Sequence, residues 1–162
     1  MRLWRQGPIS LISSRPERRM TSVRAEIEID APAARIFEIL TDLAAYREWN
    51  PFTPRVESTL RVGDPVELHV RLRGERLSHR VEFVTANEAP SRLCWRMQMG
   101  ARFLLAAERC QTLTPLADGR TRYVSEDVFR GLLTPIVMLG FRTAMQRGFD
   151  DCALALKKRA ES

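Results

Sequence analysis

The stretch that most constrains this fold is the last thirty residues, Leu132 to Glu161. Leu133, Val137, Phe141, Met145, Phe149, Cys152 and Leu156 recur there at spacings of three and four, so they share one face of a helix with a 3.6-residue period. Thr134 supplies an N-cap oxygen and Pro135 a first helical residue, while Lys157, Lys158 and Arg159 suit the carbonyl-rich end. Such a helix, roughly 39 Å long, has to lie on a large apolar surface. Its first turns, Leu132–Phe141, carry more apolar surface than one buried stripe requires, and we read them as a gate. Gly140, Ala144 and Gly148 form a small-residue stripe that we read as a cavity wall, despite the cost of glycine within a helix.

The 162 residues suit one domain with a sizeable core. The apolar run at Leu132–Phe141 meets Arg142, well short of the roughly 20 residues of a membrane span, so no transmembrane segment is expected. The net charge of +6 invites a nucleic-acid reading, but residues 1–21 hold +4 of it. The nearly balanced remainder has no basic stripe with interleaved aromatics, so no nucleic-acid partner is expected. With 24 arginines against 2 lysines, the composition points to a GC-rich, bacterial genome. Cys94, Cys110 and Cys152 lack metal-type spacing and read as reduced cysteines of a cytoplasmic protein. Residues 1–21, rich in Arg and Ser, read as a disordered leader outside the domain at 22–162, with Met1–Arg19 either a transit peptide or sequence upstream of a start at Met20.

Ser22 to Asp30 alternates apolar and charged residues as a half-buried strand does. Asp30-Ala31-Pro32 opens a helix through Leu40, Asp42 caps a second short one, and Trp49-Asn50-Pro51-Phe52 makes a rigid corner in which Trp49 plugs the core. From Arg55 to Arg130 the pattern is all strand, six in number, punctuated at Gly63-Asp64-Pro65, Gly74, Asn87–Ser91, Gly100 and Asp118-Gly119. These elements make an α+β fold: a curved antiparallel sheet of about seven strands, ending in a six-stranded meander, wrapped around the long C-terminal helix.

Registers sharpen this, because a one-residue slip moves every side chain to the other face. Matching apolar to apolar around Gly74 sets Leu72 against Leu77, Leu68 against Val81 and Val66 against Phe83. That places His79 opposite Val70 on the inner face and turns His69 outward, which argues against a shared metal. Around Gly100 the same criterion pairs Met97 with Leu105 and Trp95 with Ala107. Across Asp118-Gly119 it pairs Leu113 with Tyr123 and Ala107 with Phe129, bringing Gln111 opposite Ser125 and Arg109 opposite Asp127. The expected outcome is an ion pair on an otherwise apolar inner face.

In this order, the opening strand into Asp30-Ala31-Pro32, then Leu40-Thr41-Asp42, Trp49-Asn50-Pro51-Phe52 and Leu113-Thr114-Pro115 resemble the SRPBCC superfamily. So do Asp118-Gly119-Arg120-Thr121 and the unit of Asp127, Phe129 and Gly131, where the family usually has Glu in place of the Asp. This is the helix-grip fold of START-related and birch-pollen-allergen-like proteins, and the likeness is to its polyketide cyclase/dehydrase and lipid-transport branch. The resemblance covers Val23 to about Arg159 and implies a cavity between sheet and C-terminal helix. Its lining would be Phe83, Trp95, Met97, Leu105 and Phe129 from strands, with Phe141, Met145 and Phe149 from the helix.

The polar candidates are His79, Arg109, Gln111, Tyr123, Ser125 and Asp127, a few placed groups in a mostly apolar pocket. Arg109, oriented by Asp127, would donate to a carbonyl, phenolate or carboxylate of a ligand; otherwise the pair locks the sheet. No Ser-His-Asp set, phosphate loop or dinucleotide fingerprint is present, and neither a metal nor another cofactor is expected. The leading expectation is carriage of a small hydrophobic, lipid-like or aromatic polyketide-like ligand. Alternatives are a cyclase/aromatase using Arg109 with His79 or Tyr123, and a protein-interaction module such as a chaperone-ATPase regulator acting through its outer face. Both a monomer and a weak dimer fit the sequence.

Overall fold

The computed structural model describes residues 21–101 and 103–162. The expected leader thus lies outside the described residues except for Thr21, which opens the first strand. In chain order the elements are β1 (Thr21–Ile29), α1 (Ala33–Thr41), a 3₁₀ turn (Leu43–Ala45), α2 (Tyr46–Trp49) and β2 (Arg55–Glu57). There follow β3 (Pro65–Arg73), β4 (Arg76–Glu88), β5 (Arg92–Met99), β6 (Leu105–Pro115), β7 (Thr121–Arg130) and α3 (Thr134–Ala160). The strands form one seven-stranded sheet in the order β1-β7-β6-β5-β4-β3-β2, antiparallel throughout. It is the helix-grip α+β fold.

The core fills the space between the inner face of the sheet and the helices. Ile36, Leu40, Leu93, Tyr123, Phe149, Cys152 and Leu156 are all buried in it. Helix α3 buries Met138, Met145, Phe149, Cys152, Ala153 and Leu156, close to the expected stripe. Trp49 packs edge-on against Tyr46, its ring 5.0 Å away, at the margin of the core. Asn50 turns the corner by accepting hydrogen bonds at Oδ1 from the Phe52 and Thr53 backbone N–H groups. Neither Asp42 nor Thr134 caps a helix through its side chain, contrary to expectation. Thr134 is itself the first residue of α3.

Two registers differ from those expected, and both differences reach the interior. The turn at Gly74 sets Arg73 opposite Arg76, as apolar matching requires, but a β-bulge between Arg71 and Arg73 then shifts the pairing by one. Beyond it Leu68 faces Arg80 and Val66 faces Glu82. Leu77, His79, Val81 and Phe83 are consequently exposed, on the face opposite to the buried Val66, Leu68 and Val70. At the β5–β6 hairpin the pairing is displaced by two, which preserves faces but sets Trp95 against Arg109 and Cys94 against Cys110. Cys94 and Cys110, with Cα atoms 4.2 Å apart, form a disulfide, so two of the three cysteines read as reduced are not. The register that matched apolar pairs had kept them apart. Cys152 is free and buried.

The stripe on α3 also has a different role. A side chain at Gly148 would run into the Phe52 ring, so this glycine admits the corner following α2 rather than leaving room for a ligand. Gly140, Ala144 and Gly148 border an outer groove with Arg71 and Gly74, not the interior cavity.

Candidate functional site

A cavity of about 180 Å³ lies between the inner face of the sheet and the first half of α3. That exceeds the roughly 150 Å³ apolar cavity known to accept benzene. Strands β3, β5, β6 and β7 supply Leu68, Val70, Leu72, Trp95, Met97, Met99, Leu105, Ala107 and Phe129 to its wall. Helix α3 supplies Val137, Phe141, Met145 and Phe149, and the corner after α2 supplies Phe52 and Thr53. Four charged side chains, Arg80, Glu82, Arg109 and Asp127, share this apolar wall.

The site is organised by one cross-strand row, in which Val84 faces Trp95, Trp95 faces Arg109 and Arg109 faces Asp127. The Arg109–Asp127 register is the expected one, yet the two groups do not close into a direct ion pair. Arg109 is 7% exposed. Its Nε donates to Ser125 Oγ at 3.2 Å, and its guanidinium carbon lies 4.4 Å from the centre of the Phe149 ring. The Trp95 ring is 5.9 Å away. Aromatic faces attract a guanidinium through their negative quadrupole, and a cation held in this way keeps its N–H groups for a further partner. Asp127 Oδ1, meanwhile, is buried with no hydrogen-bond partner in the protein. Thr53 Oγ1 is a second buried atom of the cavity wall in that state.

The carboxyls respond to this setting. Burial pushes Asp127 up to about 6, with Arg109 and Arg80 pulling the other way. Burial, reinforced by the nearby Asp127 charge, pushes Glu82 up to about 8, against the same two arginines. At neutral pH the cavity therefore presents two guanidinium cations, a carboxylate at Asp127 and a protonated acid at Glu82.

Of the fourteen ligand residues named from sequence, nine line the cavity: Trp95, Met97, Leu105, Arg109, Asp127, Phe129, Phe141, Met145 and Phe149. Gln111, Tyr123 and Ser125 lie beneath it: Tyr123 Oη donates to Gln111 Oε1 at 2.7 Å, and Ser125 holds Arg109. His79 and Phe83 are corrected outright. The β3 bulge turns both outward, and His79 sits against His69, ring centres 5.1 Å apart, with Nε2 3.5 Å from Glu67 Oε2. The two histidines thus share a face rather than taking opposite ones. Among the described residues, no group of three or more His, Cys, Asp or Glu is arranged to hold a metal ion. Arg80 and Glu82 went unrecognised in the sequence because apolar matching favours burying Val81 and Phe83 beside them.

A family model described as polyketide cyclase / dehydrase and lipid transport matches residues 20–161. No curated protein matches the sequence significantly. Among solved structures the chain is similar to the Zhui aromatase/cyclase from Streptomyces sp. R1128, at 24% identity and a TM-score of 0.68, over 88% of this chain and 94% of that one. It is similar to a START superfamily protein from Mycobacterium smegmatis at 21% identity and a TM-score of 0.66, over 86% and 97% of the two chains. A truncated norcoclaurine synthase from Thalictrum flavum aligns at 14% identity and a TM-score of 0.63, over 86% and 92%. Likeness at these identities is likeness of fold. Among the described residues, no helix is long and apolar enough to cross a membrane.

Proposed function

Because the chain belongs to the polyketide cyclase / dehydrase and lipid transport family, we propose that it binds a small hydrophobic molecule with a polar head in the cavity beneath α3. The observation that carries this reading is the pair of buried, unpartnered oxygens, Thr53 Oγ1 and Asp127 Oδ1, in a wall otherwise built of apolar side chains. A buried polar atom without a partner is costly, and a ligand's donor would relieve that cost. The apolar wall would take the body of the ligand, while Arg109 and Glu82 would donate to a carbonyl, phenolate or carboxylate on its head.

The test is native mass spectrometry of protein isolated from its own host. A co-bound lipophile is expected in the wild type, retained in Phe83→Ser and lost in Ala107→Phe, whose ring would fill the cavity. A wild-type protein that is consistently empty would overturn the reading.

A second reading, proton transfer during cyclisation of a β-ketone chain, is favoured by one observation. Two carboxyls of the same cavity are raised to different extents, Asp127 to about 6 and Glu82 to about 8. Divergent carboxyls of this kind suit base and acid roles. Asp127 and Glu82 then stand in place of the His79 or Tyr123 expected to act with Arg109. The expectation is a bell-shaped pH profile of kcat/KM with limbs near those two values, and loss of the alkaline limb in Glu82→Gln. A turnover that ignored Glu82→Gln would sink this reading and leave binding intact.

A further inference from the structure

The first turns of α3 and the tip of the β5–β6 hairpin carry an apolar surface that the fold does not bury. Leu132, Ile136 and Leu139, at i, i+4 and i+7, are 72%, 68% and 92% exposed. Beside them Phe103 is 65% and Met99 54% exposed. The two segments are held together: Leu132 N donates to Phe103 O at 3.0 Å and Leu133 N to Leu104 O at 2.9 Å. Met99, Val137 and Phe141 of the same segments line the cavity, so this surface is its rim.

Among the described residues of the two rim segments, 97–104 and 132–142, the charged side chain is Arg142, while Arg96, just outside them, faces Glu108 across the strands. Arg142 and Arg147 lie exposed on α3 itself. Protruding aliphatic and aromatic side chains bordered by arginines are the chemistry of a surface that enters the headgroup region of an anionic bilayer. Two of these exposed side chains, Ile136 and Leu139, stand on the solvent side of α3.

We propose that this rim docks on an anionic lipid bilayer, with Leu132, Ile136, Leu139 and Phe103 entering the interface and the arginines meeting lipid phosphates. The cavity then opens toward the membrane, and a lipophile passes between the two without crossing water. That passage rests on the ligand-binding reading given above; the docking does not, since it requires no ligand.

Flotation with vesicles of phosphatidylcholine containing about 30% phosphatidylglycerol, at about 0.1 M salt, tests it. The full chain is expected to float with these vesicles, and to do so at least about tenfold less with pure phosphatidylcholine. The triple variant Leu132→Ser, Ile136→Ser, Leu139→Ser is expected to lose binding by at least about tenfold with its melting temperature unchanged. Phe83→Ser, on the outer face of the sheet, is expected to bind as the wild type does. Failure of the wild type to float overturns the proposal, and so does binding that survives the triple variant. Sedimentation equilibrium tests the other occupant of the rim: a dimer that the triple variant dissociates, without vesicle binding, overturns docking and makes the rim an interface between copies. Failure of flotation alongside a co-purified lipophile would overturn docking and leave the cavity reading standing.

Discussion

Glu82 enters an apolar cavity beside another carboxyl, and its protonation is where the site touches stability. In the unfolded chain it ionises near the ordinary glutamate value of about 4.3, but in the folded chain only near 8. Between those values the folded state holds the extra proton, so stability falls as pH rises through the window and levels off above it. Glu82→Gln removes this term. The variant is expected to melt with the wild type below about pH 4 and above it at pH 9, by an amount that the shift bounds at about 5 kcal/mol. Thermal melts across that range check the sign; a variant less stable at pH 9 would mean that the ionised carboxylate is the form the fold prefers. Asp127 titrates in the same sense over a lower window, ending near 6. Arg109 differs, since it is a cation at every relevant pH and its place is set by the Phe149 ring and Ser125. Arg109→Lys is therefore expected not to restore ligand binding lost in Arg109→Met, because an ammonium cannot lie flat on the ring while donating from a fixed fork.

Between neighbouring elements, two glycines decide how closely the parts approach. Gly131 follows β7 with φ of 116°, and a Cβ there would stand 2.5 Å from the Leu104 carbonyl oxygen. Gly131→Ala is expected to cost about 3 kcal/mol through strain and the parting of the hairpin tip from α3, measured by urea unfolding. Gly148→Ala tests the other contact. Helix propensity favours alanine by about 1 kcal/mol, but crowding against Phe52 opposes it by roughly 1–3 kcal/mol. The substitution is expected to destabilise the wild type and to become stabilising in a Phe52→Leu background. A penalty unchanged by Phe52→Leu would show that the ring is not its cause. These contacts also mark what was legible in sequence. The six-stranded meander, the long helix and the Arg109–Asp127 register follow from periodicity and from a tight Asp118-Gly119 turn with no bulge behind it, whereas the pairing of β1 with β7 was not read from the sequence. A bulge leaves no such trace. The one between Arg71 and Arg73 reversed β4, hid Arg80 and Glu82, and sent His79 and Phe83 outside. Apolar matching fails there for a physical reason: the inner face of β4 is charged because it borders a cavity, not a core.

For the molecule as a whole, four charged groups set the electrostatics of the cavity in which we propose that a ligand binds. At neutral pH the cations of Arg80 and Arg109 outnumber the single carboxylate of Asp127, since Glu82 still holds its proton. An anionic lipophile is favoured under those conditions. As pH rises through about 8, Glu82 ionises and the excess of positive charge is lost, along with one hydrogen-bond donor to the ligand head. Binding of 2-naphthoate, whose own charge does not change in this range, should therefore weaken with alkalinity. Isothermal titration calorimetry is expected to show the dissociation constant rising by about three- to tenfold between pH 7 and pH 9, which corresponds to roughly 0.7–1.4 kcal/mol. In Glu82→Gln the rise should vanish, because the amide keeps a donor and never ionises. The neutral analogue 2-acetylnaphthalene should lose less, as it misses the donor but feels no repulsion. If naphthoate binding were equally strong at both pH values in the wild type, Glu82 would not face the ligand, and the polar head would have to be assigned to the Thr53 side of the cavity instead.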